Sequence, residues 1–483
     1  MKNIFSLFIA RKGPKKALGS ILRRSSLIGL MITTLLFSGF VFNPIASAGG
    51  YSDTDHWVAT WAASAHGTYP VGTAVAQPDL SFAFPSPDTG ANNQTFRLIV
   101  RPTLWGDNFR LRFSNVFGTQ SVTLDDVYLG LQASAGTVAA GTNRQVTFSG
   151  SGSATIPAGE LLYSDPVKLE YIKDPDALYA QGRKLAVSFH VVGSSGPMTW
   201  HSKALQTSYI TAPDAGSHGE DESDEAFPYS TASWYFLDAV EVMAPADTVV
   251  VAAFGDSITD GTGSTLNGDD RWPDVLFRRL HEAYGNRVAL VNTGIGGNRI
   301  LSDSGAGGPA ALDRLERDVF SLPGIFAVVW LEGINDLGSA GASADEVIEG
   351  IKEGVQLIRD QNLKIIQATI TPSLNSPFGS YGTPETDAAR QTINDFIRTA
   401  GIFDSVADFD AVTVDPSTGE LRPEFQPNST TAGIDLLHPN RAGYLAMGGE
   451  VDIGILSPFN RKYKDHHYHH RRQKRWNWWD QSK

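Results

Sequence analysis

The chain has 483 residues and a formal net charge of −13, and 41% of its residues are hydrophobic. That length exceeds one ordinary domain and suits two. The sequence contains no cysteine, which excludes disulfides, thiol catalysis, cysteine-ligated zinc and a lipid-modified cysteine.

Residues 1–48 are predicted to be a secretion signal. They carry seven basic residues and no acidic one, followed by an apolar run of 16 residues from Leu27 to Phe42 and by the small-residue sequence "ASA" at 46–48. The alternative is an uncleaved membrane anchor, but a spanning helix needs about 20 apolar residues. We therefore expect cleavage after about Ala48, a secreted protein and no stable membrane span once the signal is removed.

Charge is unevenly distributed along the chain, because the two ends are basic and the middle is acidic. Taking the +7 of residues 1–48 and the +6 of residues 460–483 from the net −13 leaves −26 for residues 49–459. A middle this acidic is a poor binder of nucleic acid, so no nucleic-acid partner is expected. The basic tail, which is rich in histidine and tryptophan, is predicted to be a disordered extension, and no binding function follows from it.

Residues 49–245 show the pattern of antiparallel strands. "NFRLRFSN" (108–115) and "KLAVSFHVV" (184–192) alternate apolar residues with polar or smaller ones, and turns rich in glycine, serine and proline separate such segments. No comparable helical pattern occurs. This part of the chain is predicted to be a β-sandwich or jelly-roll-like domain.

Residues 246–459 change to alternating strands and helices. "TVVVAAF" (248–254) is a continuous apolar run, and four further strands alternate with helical segments, the last helix being predicted from Pro439. This alternation predicts an α/β domain with a parallel sheet covered by helices on both faces. Ligands of such sheets bind at the carboxyl ends of the strands.

Candidate catalytic residues follow several of these strands closely in the sequence. Ser257 follows the first strand in "GDSIT", Gly297 lies in "NTGIGGN" after the second, and Asn335 lies in "GIND" after the third. Asp435 and His438 lie in "DLLHP", before the last helix. We expect these side chains to meet at one edge of the sheet.

A serine hydroxyl needs a base to remove its proton, and the base needs a third group to fix its tautomer. Before the tail, His438 is the only histidine that lies three residues after an aspartate and immediately before a proline. With Pro439 as first helical residue, His438 is predicted to lie near the helix cap. An acyl-transfer transition state also needs oxyanion donors, and the candidates are the N–H of Ser257, the N–H of Gly297 and the amide of Asn335.

Ser257, Gly297, Asn335 and His438, in these four blocks, resemble the signature residues of the SGNH hydrolase superfamily, also called GDSL lipases/esterases. Ile258 stands where the namesake leucine would be. The resemblance covers roughly residues 248–456 and implies a three-layer α/β/α, flavodoxin-like hydrolase domain that uses no metal or cofactor. It also implies that Ser257 is the nucleophile, His438 the base and Asp435 the group that orients it, with Ser257, Gly297 and Asn335 as the oxyanion hole.

"GTGSTLNGDDRWPDVL" and "WLEGINDLG" are similar to the branch of secreted bacterial members that carry an extra N-terminal β domain and often act on carbohydrate esters such as acetylated xylan. The expected function is therefore a secreted serine esterase that deacetylates a polysaccharide or oligosaccharide. A lipase or general carboxylesterase acting on lipid or aryl esters is the alternative. A non-catalytic glycan-binding protein is the third possibility, but it would require the catalytic residues to be vestigial although every one of them is present.

Other residues have structural interpretations. Asp256 and Asp336 are expected to support the turns beside Ser257 and Asn335, and Glu332 to be a buried, hydrogen-bonded carboxylate. Nothing in the sequence decides whether His201 approaches the site. Trp105, Trp200 and Trp234 could stack on sugars, but aromatic residues of a β domain are expected to lie in its core. A strand-to-helix turn of the G-x-S-x-G type is excluded, since Thr259 stands where it needs glycine.

Overall fold

A computed structural model describes residues 55–174, 180–431 and 433–460. The predicted signal and the basic tail from Arg461 lie outside the described residues. The described residues belong to one compact unit. None of the helices in these ranges is both long and apolar enough to cross a membrane.

The first part of the described chain consists of strands, and no helix occurs among its described residues before Ser257. The strands are β1 His56–Ala62, β2 Gly67–Thr68, β3 Asn92–Val100, β4 Asn108–Ser114, β5 Val122–Ser134, β6 Thr137–Val138, β7 Arg144–Gln145, β8 Ser153–Ile156, β9 Leu161–Tyr163, β10 Val167–Lys168, β11 Leu185–Ser194, β12 Thr199–His201, β13 Ser208–Ile210, β14 Tyr229–Thr231, β15 Trp234–Tyr235 and β16 Leu237–Ala244.

These strands form three sheets whose pairings are antiparallel. One sheet has the order β1-β16-β4-β10, with β9 also paired to β4, and a larger one has the order β14-β13-β3-β11-β5-β6, with β7 and β8 also paired to β5. A small sheet has the order β15-β12-β2. The first two sheets contact each other through aromatic side chains, such as Phe113 of β4 and Phe189 of β11, whose ring centroids lie 5.3 Å apart. Trp105, Trp200 and Trp234 are buried, as expected.

The second part of the chain alternates strands and helices, as predicted. Its strands are β17 Val249–Gly255, β18 Val288–Gly294, β19 Ile325–Leu331, β20 Lys364–Ala368 and β21 Ser405–Ala407. Its α-helices are α1 Ser257–Asp260, α2 Trp272–Tyr284, α3 Ala311–Leu315, α4 Ala344–Asp360, α5 Pro384–Thr399, α6 Phe409–Thr413 and α7 Arg441–Glu450. Helix α3 is followed directly by a π-helical turn, Glu316–Phe320, and a second such turn spans Asp336–Ala340. Short 3-10 turns are Gly379–Gly382, Pro423–Phe425 and Pro458–Asn460.

The five strands form one parallel sheet in the order β18-β17-β19-β20-β21. Alternate side chains of β17 enter two different apolar clusters, because successive residues of a strand point to opposite faces. Val249, Val251 and Ala253 pack with residues of α2, α6 and α7. Val250, Ala252 and Phe254 pack with residues of α3, α4 and α5. The sheet is therefore covered by helices on both faces, as predicted.

The second of these clusters continues into the first part of the chain, where it includes Phe113 and Phe189. Backbone and hydroxyl groups also connect the two parts. Ala59 N donates to Pro323 O at 2.9 Å. Thr103 Oγ1 donates to Leu290 O of β18 at 2.9 Å and accepts from Leu290 N at 3.0 Å. The strand-rich part therefore packs directly beside the edge strand of the parallel sheet.

Candidate active site

Ser257 lies where β17 ends and the short helix α1 begins. Asp256 is the N-cap of that helix, and its Oδ1 accepts a hydrogen bond from Ile258 N at 2.9 Å. A side-chain oxygen at this position satisfies an amide that has no partner within the helix. Asp256 thus supports the turn, as expected, and Ser257 becomes the first helical residue.

The structure brings Ser257, His438 and Asp435 together. Ser257 Oγ lies 2.9 Å from His438 Nε2, and His438 Nδ1 lies 2.9 Å from Asp435 Oδ2. An ionised carboxylate only accepts hydrogen bonds, so Nδ1 carries the proton and Nε2 presents its lone pair to the serine hydroxyl. This is the tautomer that a general base for Ser257 requires.

Asp435 is held as an ionised acceptor. Its Oδ1 accepts from Leu437 N at 2.8 Å and from His438 N at 2.7 Å. Burial acts to raise the pKa of Asp435, but the hydrogen bonds from His438 and the backbone amides outweigh burial and lower it. The negative charge needed to stabilise a protonated His438 is therefore maintained.

The prediction that Pro439 is the first residue of the last helix was wrong. Helix α7 starts at Arg441, and its N-cap is Asn440, whose side chain accepts from Ala442 N and Gly443 N at 2.9 and 3.3 Å. An asparagine in this position satisfies two free amides, which proline one residue earlier cannot do. His438 consequently lies on the loop before the cap.

Asn428 is a neighbour of this triad that the sequence did not reveal. Its Nδ2 donates to Asp435 Oδ2 at 2.9 Å and to His438 O at 3.1 Å. It is buried, and it lies in a segment without helical or strand periodicity. Only the folding of the loop onto Asp435 identifies it.

The second group of predicted residues lies on two neighbouring loops. Gly297, in the loop after β18, has a φ of 81°, a left-handed conformation that glycine adopts without strain. Asn335, after β19, donates from Nδ2 to Asn298 O at 2.8 Å, which links the two loops. One further N–H of that amide remains for a ligand.

Tyr381 fixes the orientation of the Asn335 amide. Its hydroxyl donates to Asn335 Oδ1 at 2.8 Å. Since the Asn298 carbonyl can only accept, the two bonds together determine which amide atom is nitrogen and which is oxygen. Tyr381 comes from the segment before α5, and no pattern in the sequence predicts this contact.

A buried arginine connects the carboxyl ends of β17 and β18. Arg314 donates to Gly255 O at 2.9 Å, to Thr293 O at 2.7 Å and to Asn298 Oδ1 at 2.6 Å. Each bond goes to a residue at or just after the carboxyl end of β17 or β18. Arg314 therefore fixes the spacing between the loops that carry Ser257 and Gly297.

Two buried carboxyl groups near these loops have raised pKa values. Burial raises the pKa of Asp256 to about 7 and that of Glu332 to about 8. Glu332 accepts a hydrogen bond from Trp330 Nε1 at 2.9 Å, as expected of a buried carboxyl group. Asp336 accepts from Ile300 N and Leu301 N at 2.9 and 3.0 Å, so its side chain supports the loop after β18, whereas it was expected to support the turn beside Asn335.

His201 approaches the site from the strand-rich part, but it does not join the triad. Its Nε2 lies 3.1 Å from Asp260 Oδ1, at the end of α1 opposite Ser257. The site as a whole offers a serine hydroxyl aligned with a basic imidazole nitrogen, together with amide donors on adjoining loops. This arrangement suits nucleophilic attack on a carbonyl carbon.

Residues 253–446 match the model of the GDSL-like lipase/acylhydrolase family. A comparison with curated proteins gave no match.

Among solved structures, the chain is similar to a carbohydrate acetylesterase family member from Sinorhizobium meliloti (19% identity, 42% of this chain and 95% of that one, TM-score 0.33). It is also similar to a GDSL-like lipase from Bacteroides thetaiotaomicron (20%, 44% and 88%, TM-score 0.33). A third is the aryl esterase of M. smegmatis (16%, 42% and 95%, TM-score 0.32). The match to the family model identifies residues 253–446 of this ester-hydrolysing enzyme as a domain of the GDSL-like lipase/acylhydrolase (SGNH) family.

Proposed function

We propose that the protein is a secreted serine esterase that hydrolyses carboxylic esters through an acyl-enzyme and removes acetyl groups from carbohydrate. The observation that carries the mechanism is the continuous hydrogen-bonded chain from Ser257 Oγ through His438 to Asp435, with both links at 2.9 Å.

In the first step, Ser257 Oγ attacks the ester carbonyl carbon and His438 Nε2 takes the hydroxyl proton. The carbonyl π electrons move to oxygen, and the resulting oxyanion accepts hydrogen bonds from the N–H groups of Ser257 and Gly297 and from Asn335 Nδ2. The carbon–oxygen bond to the alcohol then breaks. The alcohol leaves with the proton from His438, and the acyl group stays on Ser257.

In the second step, water replaces the alcohol. His438 removes a proton from water, whose oxygen attacks the acyl carbon, and the same donors hold the second oxyanion. The bond to Ser257 Oγ breaks, the serine regains its proton from His438, and the carboxylic acid leaves. Asp435 keeps its charge throughout and stabilises the imidazolium that forms in each step.

Acetylated carbohydrate is proposed as the substrate because two sequence segments resemble secreted SGNH hydrolases that carry an added β domain. Lipid or aryl esters are the competing substrates, and they differ from acetylated carbohydrate in acyl length and in leaving group. The acidity of residues 49–459, with a net charge of −26, supports a neutral rather than a polyanionic substrate.

We further propose that residues 49–245 form a β-sandwich-like domain ahead of a hydrolase domain at 246–459. The antiparallel sheets joined by Phe113 and Phe189 support the sandwich. Secretion is supported by the basic and apolar composition of residues 1–48.

The test compares the protein expressed from residue 49 with its Ser257→Ala variant on p-nitrophenyl esters of increasing chain length and on acetylated xylan. The variant is expected to lose at least about 10³-fold in kcat, since the nucleophile is absent. Release of acetate from xylan at a rate comparable with short aryl esters would support the carbohydrate substrate, whereas preference for long acyl chains would favour a lipase.

Ser264→Ala is the matched control, because Ser264 is also buried and its Oγ has no hydrogen-bond partner in the described part of the chain. This control should retain wild-type turnover. Equal activity of Ser257→Ala and the wild type would overturn the mechanism. A metal chelator should leave the rate unchanged.

A further inference from the structure

The loop that carries Gly297 is contacted by side chains from the strand-rich part of the chain. Thr73 Oγ1 donates a hydrogen bond to Gly296 O at 3.1 Å. A Cβ atom added to Gly296 would lie 2.2 Å from Thr73 Oγ1 and 2.4 Å from Lys203 Nζ. Both side chains therefore occupy the space beside this glycine, and they come from outside the family domain at 253–446.

The Gly296 carbonyl and the Gly297 N–H belong to one planar peptide unit and point in opposite directions. A hydrogen bond that holds the carbonyl therefore also fixes the direction of the N–H. It polarises the amide as well, which makes the N–H a stronger donor. The same peptide supplies one of the three oxyanion donors in the proposed mechanism.

The preceding peptide is held by a carboxylate from α1. Gly296 N donates to Asp260 Oδ2 at 2.8 Å, while Asp260 Oδ1 lies 3.1 Å from His201 Nε2. Burial opposes ionisation of Asp260, but His201 and Lys203 outweigh burial and lower its pKa. The strand-rich part thus acts on both peptides that flank Gly296, directly through Thr73 and indirectly through Asp260.

Thr73 is itself anchored. Val71 O, two residues before it, accepts hydrogen bonds from Trp200 Nε1 and His66 Nε2, each at 3.1 Å. Burial lowers the pKa of His66 to about 3, so the ring is neutral and donates from Nε2. The hydroxyl of Thr73 is therefore presented by a fixed segment and not by a free loop.

We infer that Thr73 is a positioning residue that orients the Gly296–Gly297 peptide as an oxyanion donor, so that the strand-rich part of the chain completes the oxyanion hole. The inference rests on the proposed esterase mechanism. It assigns to a segment outside the family domain a part in catalysis and not only in substrate binding.

The test is Thr73→Val, which removes the hydroxyl but keeps the size and branching of the side chain. We expect kcat on a short aryl ester to fall about 3- to 10-fold with KM unchanged, because one neutral hydrogen bond to the donor peptide is lost. Affinity for a trifluoromethyl ketone, whose adduct with Ser257 carries an oxyanion, should fall by the same factor. Thr73→Ser keeps the hydroxyl and should restore both values.

Thr103→Val is the matched control, since Thr103 also connects the two parts of the chain but bonds β18 at Leu290. It should lower the melting temperature without changing kcat or the ketone affinity. Should Thr73→Val fold poorly, Thr73→Ala is compared with Thr73→Ser in the same way.

The outcomes separate the two proposals. Wild-type values in Thr73→Val alongside an inactive Ser257→Ala variant would overturn the inference and leave the esterase mechanism standing. The same would follow from a Thr73→Ser variant as defective as Thr73→Val, or from an equal loss of kcat in Thr103→Val. An active Ser257→Ala variant would overturn the mechanism and the inference together.

Discussion

Glu332 shows how a single buried carboxyl group can link the stability of the protein to pH. It is 1% exposed, its Oε2 accepts from Trp330 Nε1, and its Oε1 has no hydrogen-bond partner in the described part of the chain. Burial favours the neutral form, and the pKa rises from 4.5 to about 8 despite the attraction of Arg314. The folded protein therefore holds a proton that the unfolded chain has already released at neutral pH.

This difference predicts that Glu332→Gln changes the pH dependence of unfolding. Between about pH 4.5 and 8 the folded state binds more protons at this position, so the wild-type free energy of unfolding falls as pH rises. Glutamine is neutral at every pH and removes this contribution. The two proteins should be similar at pH 5, and at pH 9 the variant should be more stable by on the order of 4 kcal/mol, since each pKa unit corresponds to about 1.4 kcal/mol.

The measurement is urea unfolding of both proteins at pH 5, 7 and 9. Glu353→Gln is the control, because it removes the same charge from an exposed position of α4. It should follow the wild type at all three pH values. A stability difference between Glu332→Gln and the wild type that does not grow with pH would contradict the prediction.

At the scale of elements, the parallel strands were predictable because strands buried on both faces are continuous apolar runs. Ser257, Gly297 and Asn335 follow from the same pattern, since each lies on the segment after a strand. Asp435 and His438 were predicted instead from their three-residue spacing before the last helix. The residues that orient these site residues were not predictable from the sequence pattern. Thr73 and Tyr381 reach the site from distant segments, and Asn428 lies on the loop that leads to Asp435. Their contacts depend on how these loops pack in three dimensions. The start of α7 was misplaced because the capping contacts of Asn440 are visible only in the fold.

The close packing of α1 against the end of β18 predicts that Gly294→Ala damages both stability and catalysis. A Cβ atom at Gly294 would lie 2.4 Å from Asp260 N and 2.9 Å from Asp260 Cα, both of them backbone atoms that cannot rotate away. Helix α1 must shift, and Ser257 lies on it. We expect a loss of about 1–3 kcal/mol in unfolding free energy and at least about a 10-fold loss of kcat from the displaced nucleophile.

Gly305→Ala is the control for this variant, since a Cβ at Gly305 would meet no atom within 4 Å. It should change the free energy of unfolding by less than about 0.5 kcal/mol and leave turnover intact. Denaturant unfolding and aryl-ester kinetics measure both effects. A fully active, equally stable Gly294→Ala protein would show that α1 and β18 do not pack as closely as the structure indicates.

At the scale of the whole molecule, the strand-rich part and the parallel sheet share one apolar cluster and several polar contacts. Val250, Ala252 and Phe254 of β17 belong to the same cluster as Phe113 and Phe189 of the antiparallel sheets. Polar bonds cross the same boundary. Arg317 donates to Ala65 O at 2.7 Å, and Arg112 donates to Ser321 Oγ at 3.0 Å.

This shared core predicts that residues 246–460 expressed alone do not form a stable enzyme. Removing residues 49–245 exposes apolar side chains of the shared cluster, and exposed apolar surface costs about 25 cal/mol per Å². It also removes Thr73, His201 and Lys203 from the loop around Gly296. Calorimetry of the protein from residue 49 should show a single cooperative transition, with calorimetric and van't Hoff enthalpies equal, whereas the fragment should show none or one at much lower temperature.

The Ser257→Ala variant of the protein from residue 49 is the reference, because it is folded but inactive. Against it, a fragment that loses turnover because it is unfolded is distinguished by the absence of a cooperative transition. A fragment that unfolds cooperatively and retains wild-type kcat would mean that the shared cluster contributes little and that the two parts are independent domains. A fragment that folds but loses kcat at unchanged KM would show that catalysis depends on the strand-rich part. The parallel sheet would then be sufficient for the fold, and the oxyanion loop would still need the side chains that the strand-rich part supplies.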